Sequence, residues 1–305
     1  PVAATAESRA IAASLAGRER AAIVLGSYAQ QHPDYAALVA IAHEIARLTG
    51  ATVGVPAQNA NSVGAKLAGA SPAEGGMDTR TMIAQPRKAY VVAGFEPERD
   101  AALSRAAIAA LGQAGFVVAL TSWRCWAPEY AHVILPIAPS AETAGTFVNM
   151  EGRVQSFHAV TKPRGETRPG WKVLRMLGTL LGLPGFEAET IAEVRASIAP
   201  DLQAWADAGL SNALAPFPFA IGACASGLER VAEWPIYATD AQVRRAPGLQ
   251  RTADSKAAAK ARMNASTAQA AGLVPGDRVR VTQGGGEAEL ALAIDPALPE
   301  GCVRI

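Results

Sequence analysis

The chain of 305 residues is long enough to bury a large core and, by length, to form about two domains. Half its residues are apolar and 18% are charged, which excludes a disordered or fibrous chain, and no apolar run approaches the roughly 18 residues of a membrane-spanning helix. The net charge of +1 conceals two basic islands: residues 151–175 carry Arg153, Lys162, Arg164, Arg168, Lys172 and Arg175 against two acids, residues 244–262 carry Arg244, Arg245, Arg251, Lys256, Lys260 and Arg262 against one, and the remainder sums to −8.

The first residue is Pro1, with neither an initiator Met nor a charged-then-apolar leader, and the chain closes at Gly301-Cys-Val-Arg-Ile305 in what reads as a strand interior, so it is expected to be a piece of a longer polypeptide. Short apolar runs then recur at 21–25, 52–55, 89–93, 116–120 and 133–137, most closed by Gly, Pro or Thr-Ser. Near-continuous β-branched and aromatic runs are the pattern of strands buried on both faces of a parallel sheet. Helices are predicted between them. Over 34–49 Asp34 is the N-cap, Leu38, Ile41, Ile45 and Leu48 form the apolar face, and Gly50 supplies the stop. Over 100–113 Asp100 caps a helix whose face is Leu103, Ala107 and Leu111. The intervening residues 56–88, rich in Gly, Ala, Asn and Pro, hold at most one short helix; a loop of that length carries a ligand or a partner contact, or is mobile. Strand, helix and strand in repetition argue for an α/β fold with a doubly wound, mostly parallel sheet.

Beyond the first basic island a helix is predicted from Pro169 to Gly182, with Trp171, Leu174, Leu177 and Leu181 on one face and Thr167 as its start signal. Residues 278–282 and 288–294 read as strands joined by a hairpin at Gly284-Gly-Gly286. The predicted division is an α/β domain over 1–225, an irregular linker over 226–265, and the start of a small β domain over 266–305.

Little chemistry is spelled out locally. Cys125, Cys224 and Cys302 form no CxxC pair, which argues against a self-contained zinc or iron–sulfur site and against a disulfide framework. Cys125, between Trp123 and Trp126, reads as a buried, inert thiol. His32, His43, His132 and His158 lack metal-ligand spacing, and His43 reads as a solvated helix residue. No nucleophile elbow, GxGxxG or Walker A sequence occurs. The basic islands fit an anionic ligand, an acidic partner surface, a nucleic acid or a solvated surface, and no nucleic-acid-binding signature accompanies them.

One stretch stands out, Glu142-Thr-Ala-Gly-Thr-Phe-Val-Asn-Met-Glu-Gly-Arg-Val-Gln155, directly after the 133–137 strand. Thr143, Gly145 and Thr146 would let a backbone approach a ligand closely; Asn149 and Gln155 pair donors with acceptors; Glu151 and Arg153 bring both charges. A loop leaving the carboxyl end of a parallel strand is where α/β sheets place ligands. Alternatively, these groups satisfy their own loop backbone.

This stretch resembles the molybdopterin oxidoreductase superfamily. Lys162-Pro-Arg-Gly-Glu-Thr-Arg-Pro-Gly-Trp171 with its continuation to Gly178, and Pro235-Ile-Tyr-Ala-Thr-Asp-Ala-Gln-Val-Arg-Arg-Ala-Pro-Gly-Leu-Gln250 with Thr252, are similar to stretches of the large iron–sulfur subunit of bacterial NADH–quinone oxidoreductase (respiratory complex I). So are residues 45–51 and 64–70. The resemblance implies a molybdopterin-oxidoreductase-type sheet followed by a partial dinucleotide-binding β-barrel from about Ala268. It implies a scaffold with no catalytic residue, metal ligand or cofactor of its own, with 2Fe-2S and 4Fe-4S clusters bound upstream. Its partners would be other peripheral-arm subunits, on the cytoplasmic side of the bacterial inner membrane, with no nucleic acid and no direct membrane insertion. The alternative is a catalytic, formate-dehydrogenase-like molybdopterin enzyme in which Glu142, Thr143, Gly145, Thr146, Asn149, Glu151, Gly152 and Arg153 face a pterin dinucleotide. A third, weaker alternative is an independent anion-binding module. One departure is His132, where the family pattern has Asp.

Overall fold

A computed structural model describes residues 3–211, 213–215, 217–220, 222, 227–232, 235–284 and 286–305. Cys224 and the expected boundary at 225 lie outside the described residues. Contacts divide the chain into residues 1–56 with 212–305, and residues 57–211.

In the first of these units the 21–25 run forms β1 (Ala22–Val24), which pairs in parallel with β2 (Thr52–Gly54) through a crossover helix, Tyr35–Thr49. Gly50 ends that helix in the left-handed conformation, as expected. Asp34 occupies the N-cap position, but its carboxylate makes no cap bond and accepts from the Gly222 amide instead. The helix buries Ala37 and Ala42, while Ile45 and Leu48, expected on the core face, are exposed.

In the unit formed by residues 57–211, β3 (Ala89–Ala93), β4 (Phe116–Thr121) and β5 (Val133–Pro136) make a parallel sheet in the order β3-β4-β5. β4 is central: its Val117 and Ala119 pack with Leu111, Ala114, Ala127 and Tyr130, and its Leu120 is buried on the other face. The helix expected over 100–113 runs from Ser104 to Gly112; Asp100 ends a preceding short turn, Pro97–Asp100, and its carboxylate accepts from the Glu96 amide. A proline in that turn suits the first helical position, so the chain turns twice rather than starting one longer helix. Residues 56–88 hold two short helices, Ser62–Leu67 and Thr79–Ala84, where one at most was expected. Asp78 caps the second through the Thr81 amide.

His132 takes a definite structural role. Its Nδ1 accepts from the Val117 amide at 3.1 Å while its own amide donates to the Val117 carbonyl at 2.9 Å. The imidazole supplies the acceptor a carboxylate would, and fixes the start of β5 against β4. Cys125 is exposed rather than buried, on a turn where Trp126 also faces solvent.

After β5 the chain makes an antiparallel hairpin, β6 (Gly145–Val148) with β7 (Val154–Phe157), then helices Gly170–Leu180, Ile191–Ile198 and Leu202–Gly209. The first helix begins after Pro169, and Thr167 bonds back to the Arg164 carbonyl instead of capping it.

The expected linker contributes strands. β8 (Glu229–Val231) and β9 (Lys260–Met263) join β10 (Arg278–Gln283), β11 (Gly286–Ile294) and β12 (Cys302–Arg304) in one mixed sheet of order β10-β11-β9-β12-β8. A short run such as Ala261-Arg-Met263 carries too weak a period to be read without its neighbours. The expected hairpin is present, with Gln283 opposite Gly286. One face of the sheet buries Ala261, Met263, Val279, Leu292 and Val303 against Ala268 of helix Ala265–Ala270. Alternation sends Arg262, Arg278, Arg280, Glu289 and Arg304 to the other face. Among the described residues no helix is long and apolar enough to cross a membrane.

Candidate functional site

The sequence singles out residues 142–155, and the structure brings them together in the β6–β7 hairpin following β5. Several of their polar groups serve the hairpin itself. The Asn149 side-chain oxygen accepts from the Glu151 amide at 3.0 Å and the Arg153 amide at 2.9 Å, while backbone bonds link Asn149 to Gly152 and Arg153. This is the closed turn that Asn favours because its short carboxamide mimics a backbone acceptor. Thr146 bonds across the strands to Ser156 at 3.0 Å, and Thr143 bonds weakly to the Ala144 carbonyl at 3.4 Å. Glu142 accepts from the Arg164 amide at 3.0 Å, fastening the approach to the hairpin to the next loop.

The two glycines are equally committed. A Cβ on Gly145 would run into the Phe157 ring, and one on Gly152 into the Leu210 methyl. Gly152 also has φ +82°, a conformation side chains adopt at a cost. Their openness is filled from within: by Phe157, which also packs edge-to-face on Phe147 at 5.0 Å, and by Leu210. Glu151 and Arg153 are exposed, as is Gln155.

Sequence reasoning missed the residues that anchor this hairpin. Gln203 spans it, accepting from the Val154 amide at 3.0 Å and donating to the Gly152 carbonyl at 2.9 Å. Asn61 accepts from the Val148 amide at 2.9 Å, and Arg195 reaches the Gly145 carbonyl at 3.4 Å. Each anchor lies 49 or more residues away in sequence, so no local pattern could have revealed it.

Among the described residues, a large electrostatic perturbation lies elsewhere. Burial, with the charges of Glu98, Glu96 and Asp100, pushes the Tyr130 hydroxyl up to about 12. Among the described residues no group of three His, Cys, Asp or Glu side chains could hold a metal ion.

Comparison with known proteins agrees with this architecture. The molybdopterin oxidoreductase family model matches residues 3–180, and that of the molydopterin dinucleotide binding domain matches residues 235–305. The G subunit of the NADH-quinone oxidoreductase of Streptomyces coelicolor is 36% identical over 220 residues, 68% of this chain and 24% of that protein. A protein of Staphylococcus aureus named "Putative formate dehydrogenase" is 36% identical over 74 residues, 24% of this chain and 8% of its own length. The chain thus spans about a quarter or less of these relatives. Acetylene hydratase from Pelobacter acetylenicus shares the fold over 73% of this chain and 38% of its own, with a TM-score of 0.51 and 18% identity. Parallel strands joined by crossover helices, a separate mixed sheet and two family matches along one chain lead to a single assignment: this chain belongs to the molybdopterin oxidoreductase family.

Proposed function

We propose that this chain is the molybdopterin-oxidoreductase-like part of a large iron–sulfur subunit of the NADH–quinone oxidoreductase type, and that it acts there as a scaffold without a redox centre of its own. The observation that carries this reading is the self-satisfied hairpin. Its Asn149 oxygen already takes two amides, its Gly145 and Gly152 are covered by Phe157 and Leu210, and of its charged groups only Glu151 and Arg153 face solvent. A pterin phosphate needs several convergent donors in a concave surface, and residues 142–155 as folded do not fit it. In this reading the parallel strands belong to a doubly wound sheet, and the β8–β12 sheet is the first part of a barrel. The 2Fe-2S and 4Fe-4S clusters that carry electrons from NADH toward quinone lie in other parts of the subunit. Its partners are other peripheral-arm subunits, and the assembly sits on the cytoplasmic side of the bacterial inner membrane without this chain inserting into it.

A second reading has its own support. The dinucleotide-binding match over 235–305 and the likeness to a formate-dehydrogenase-named protein favour a catalytic molybdopterin-dependent oxidoreductase. Acid–iodine oxidation of the native full-length protein followed by fluorescence, with molybdenum measured on the same sample, separates them. The scaffold reading expects neither pterin nor molybdenum in stoichiometric amount; one pterin per chain overturns it and establishes the second.

A further inference from the structure

Helix Gly170–Leu180 is built against the usual preferences of an exposed helix. Its first turn carries no acid, its N-cap Pro169 offers no side-chain bond, and Arg168 and Lys172 place cations where the helix dipole is already positive. Lys162 and Arg164, exposed on the loop leading into it, extend that cationic collar, with Glu166 as the one acid among them. The other end is apolar and uncovered. Met176 is 49% exposed, Leu180 75%, Leu181 73% and Leu183 48%. The helix's inner side is already used: Gly178 is buried against the Phe186 ring, and Arg175 turns toward Glu189 at 3.9 Å. Lys172, Met176 and Leu180 follow at four-residue spacing, so they form one ridge on the opposite side. A run of large apolar side chains this open marks an interaction surface when it is bounded by polar residues.

We propose that this ridge, with Leu181 and Leu183 beyond it, docks an acidic-edged amphipathic helix from another protein chain of the assembly. The proposal rests on the scaffold reading in taking the partner to be a neighbouring subunit. Charge complementarity selects the occupant: apolar side chains of the partner meet Met176, Leu180 and Leu183, and its carboxylates meet Arg168 and Lys172, relieving the repulsion at the helix start. A lipid surface fits less well. The cations gather at one end instead of flanking the apolar stripe, and no aromatic residue stands on the exposed ridge, whereas interfacial helices line their polar side with Lys or Arg and insert Trp or Phe.

The test uses the full-length subunit in its purified complex and a water-soluble carbodiimide, which joins a lysine amine to a carboxylate only where the two already touch. The expected product is an amide between Lys172 and an Asp or Glu of a different chain, located by mass spectrometry. Lys172→Arg removes that product while keeping the charge. Met176→Ser with Leu180→Ser reduces co-purified partner by about tenfold, with a melting temperature within about 2 °C of the parent because the side chains are exposed. A link found only within this chain overturns the proposal, as does no link at all or unchanged partner recovery in the double variant. A link between isotopically labelled and unlabelled copies replaces it with self-association. Flotation of the full-length subunit with phosphatidylglycerol vesicles that the double variant abolishes replaces it with membrane docking. Pterin content is read separately: pterin present beside an interchain Lys172 link overturns the scaffold reading alone, and pterin absent with no link overturns docking alone.

Discussion

Residues 244–262 and residues 151–175 each carry six cationic side chains, yet the fold uses them in different ways. In 244–262 three of them are structural. Arg244 and Arg245 donate to the Ala238 and Ala241 carbonyls, closing their own turn, and Arg262 shares the half-buried Asp295 carboxylate with Arg304, at 3.9 and 3.8 Å. Among the described residues, in 151–175 only Arg175 turns toward an acid, while Arg153, Lys162, Arg164, Arg168 and Lys172 are exposed. Equal numbers of cations in sequence thus become internal bracing in one region and surface potential in the other. The difference follows from neighbours: one island lies where carbonyls and a carboxylate converge, and the other on loops and a helix face.

Three substitutions test that contrast, and a fourth, at Asn149, tests the hairpin beside it. Asp295→Ala leaves Arg262 and Arg304 partly buried without their shared acid and is expected to cost the most, about 2–3 kcal/mol by urea denaturation; a cost near zero would show the bracing to be cosmetic. Asn149→Ala removes the acceptor of two amides and is expected to cost about 1–2 kcal/mol, read from the shift in urea midpoint. Arg245→Ala removes, among its interactions, a half-buried bond to the Ala241 carbonyl and is expected to cost at least about 1 kcal/mol, read from the shift in urea midpoint. Lys162→Ala, in the exposed island, is expected to stay within about 0.5 kcal/mol of the parent. A Lys162 effect as large as that of Arg245 would erase the distinction.

Much of the scaffold was legible before the structure. The continuous apolar runs at 89–93, 116–120 and 133–137 became β3, β4 and β5, although only β4 is largely buried on both faces, while β3 and β5 leave Val91 and Val133 exposed. Gly50 and Gly284 marked a helix end and a hairpin through the backbone conformations they permit. What stayed hidden was relational. β3 and β4 read alike, yet one is an edge strand with Val91 exposed and the other is central, since strand order is a property of the whole sheet. The hairpin was visible as a chemically rich stretch, but whether its groups faced a ligand or each other depended on Gln203, Asn61 and Leu210, none of them near it in sequence. His132 reads as a departure, and geometry explains it: an imidazole nitrogen accepts the Val117 amide as a carboxylate oxygen would.

The placement of β12 has a consequence for how the protein is made. Although it follows both β8 and β9 in the sequence, it lies between them, so each of those has an unmet edge until Cys302–Arg304 arrives. On the ribosome, β8 must wait through the translation of residues 232–301 before its hydrogen-bonding partner emerges. Any truncation upstream of Cys302 removes the wedge that joins β8 to the rest of the layer, and the nascent chain exposes a sticky edge for as long as elongation stalls there.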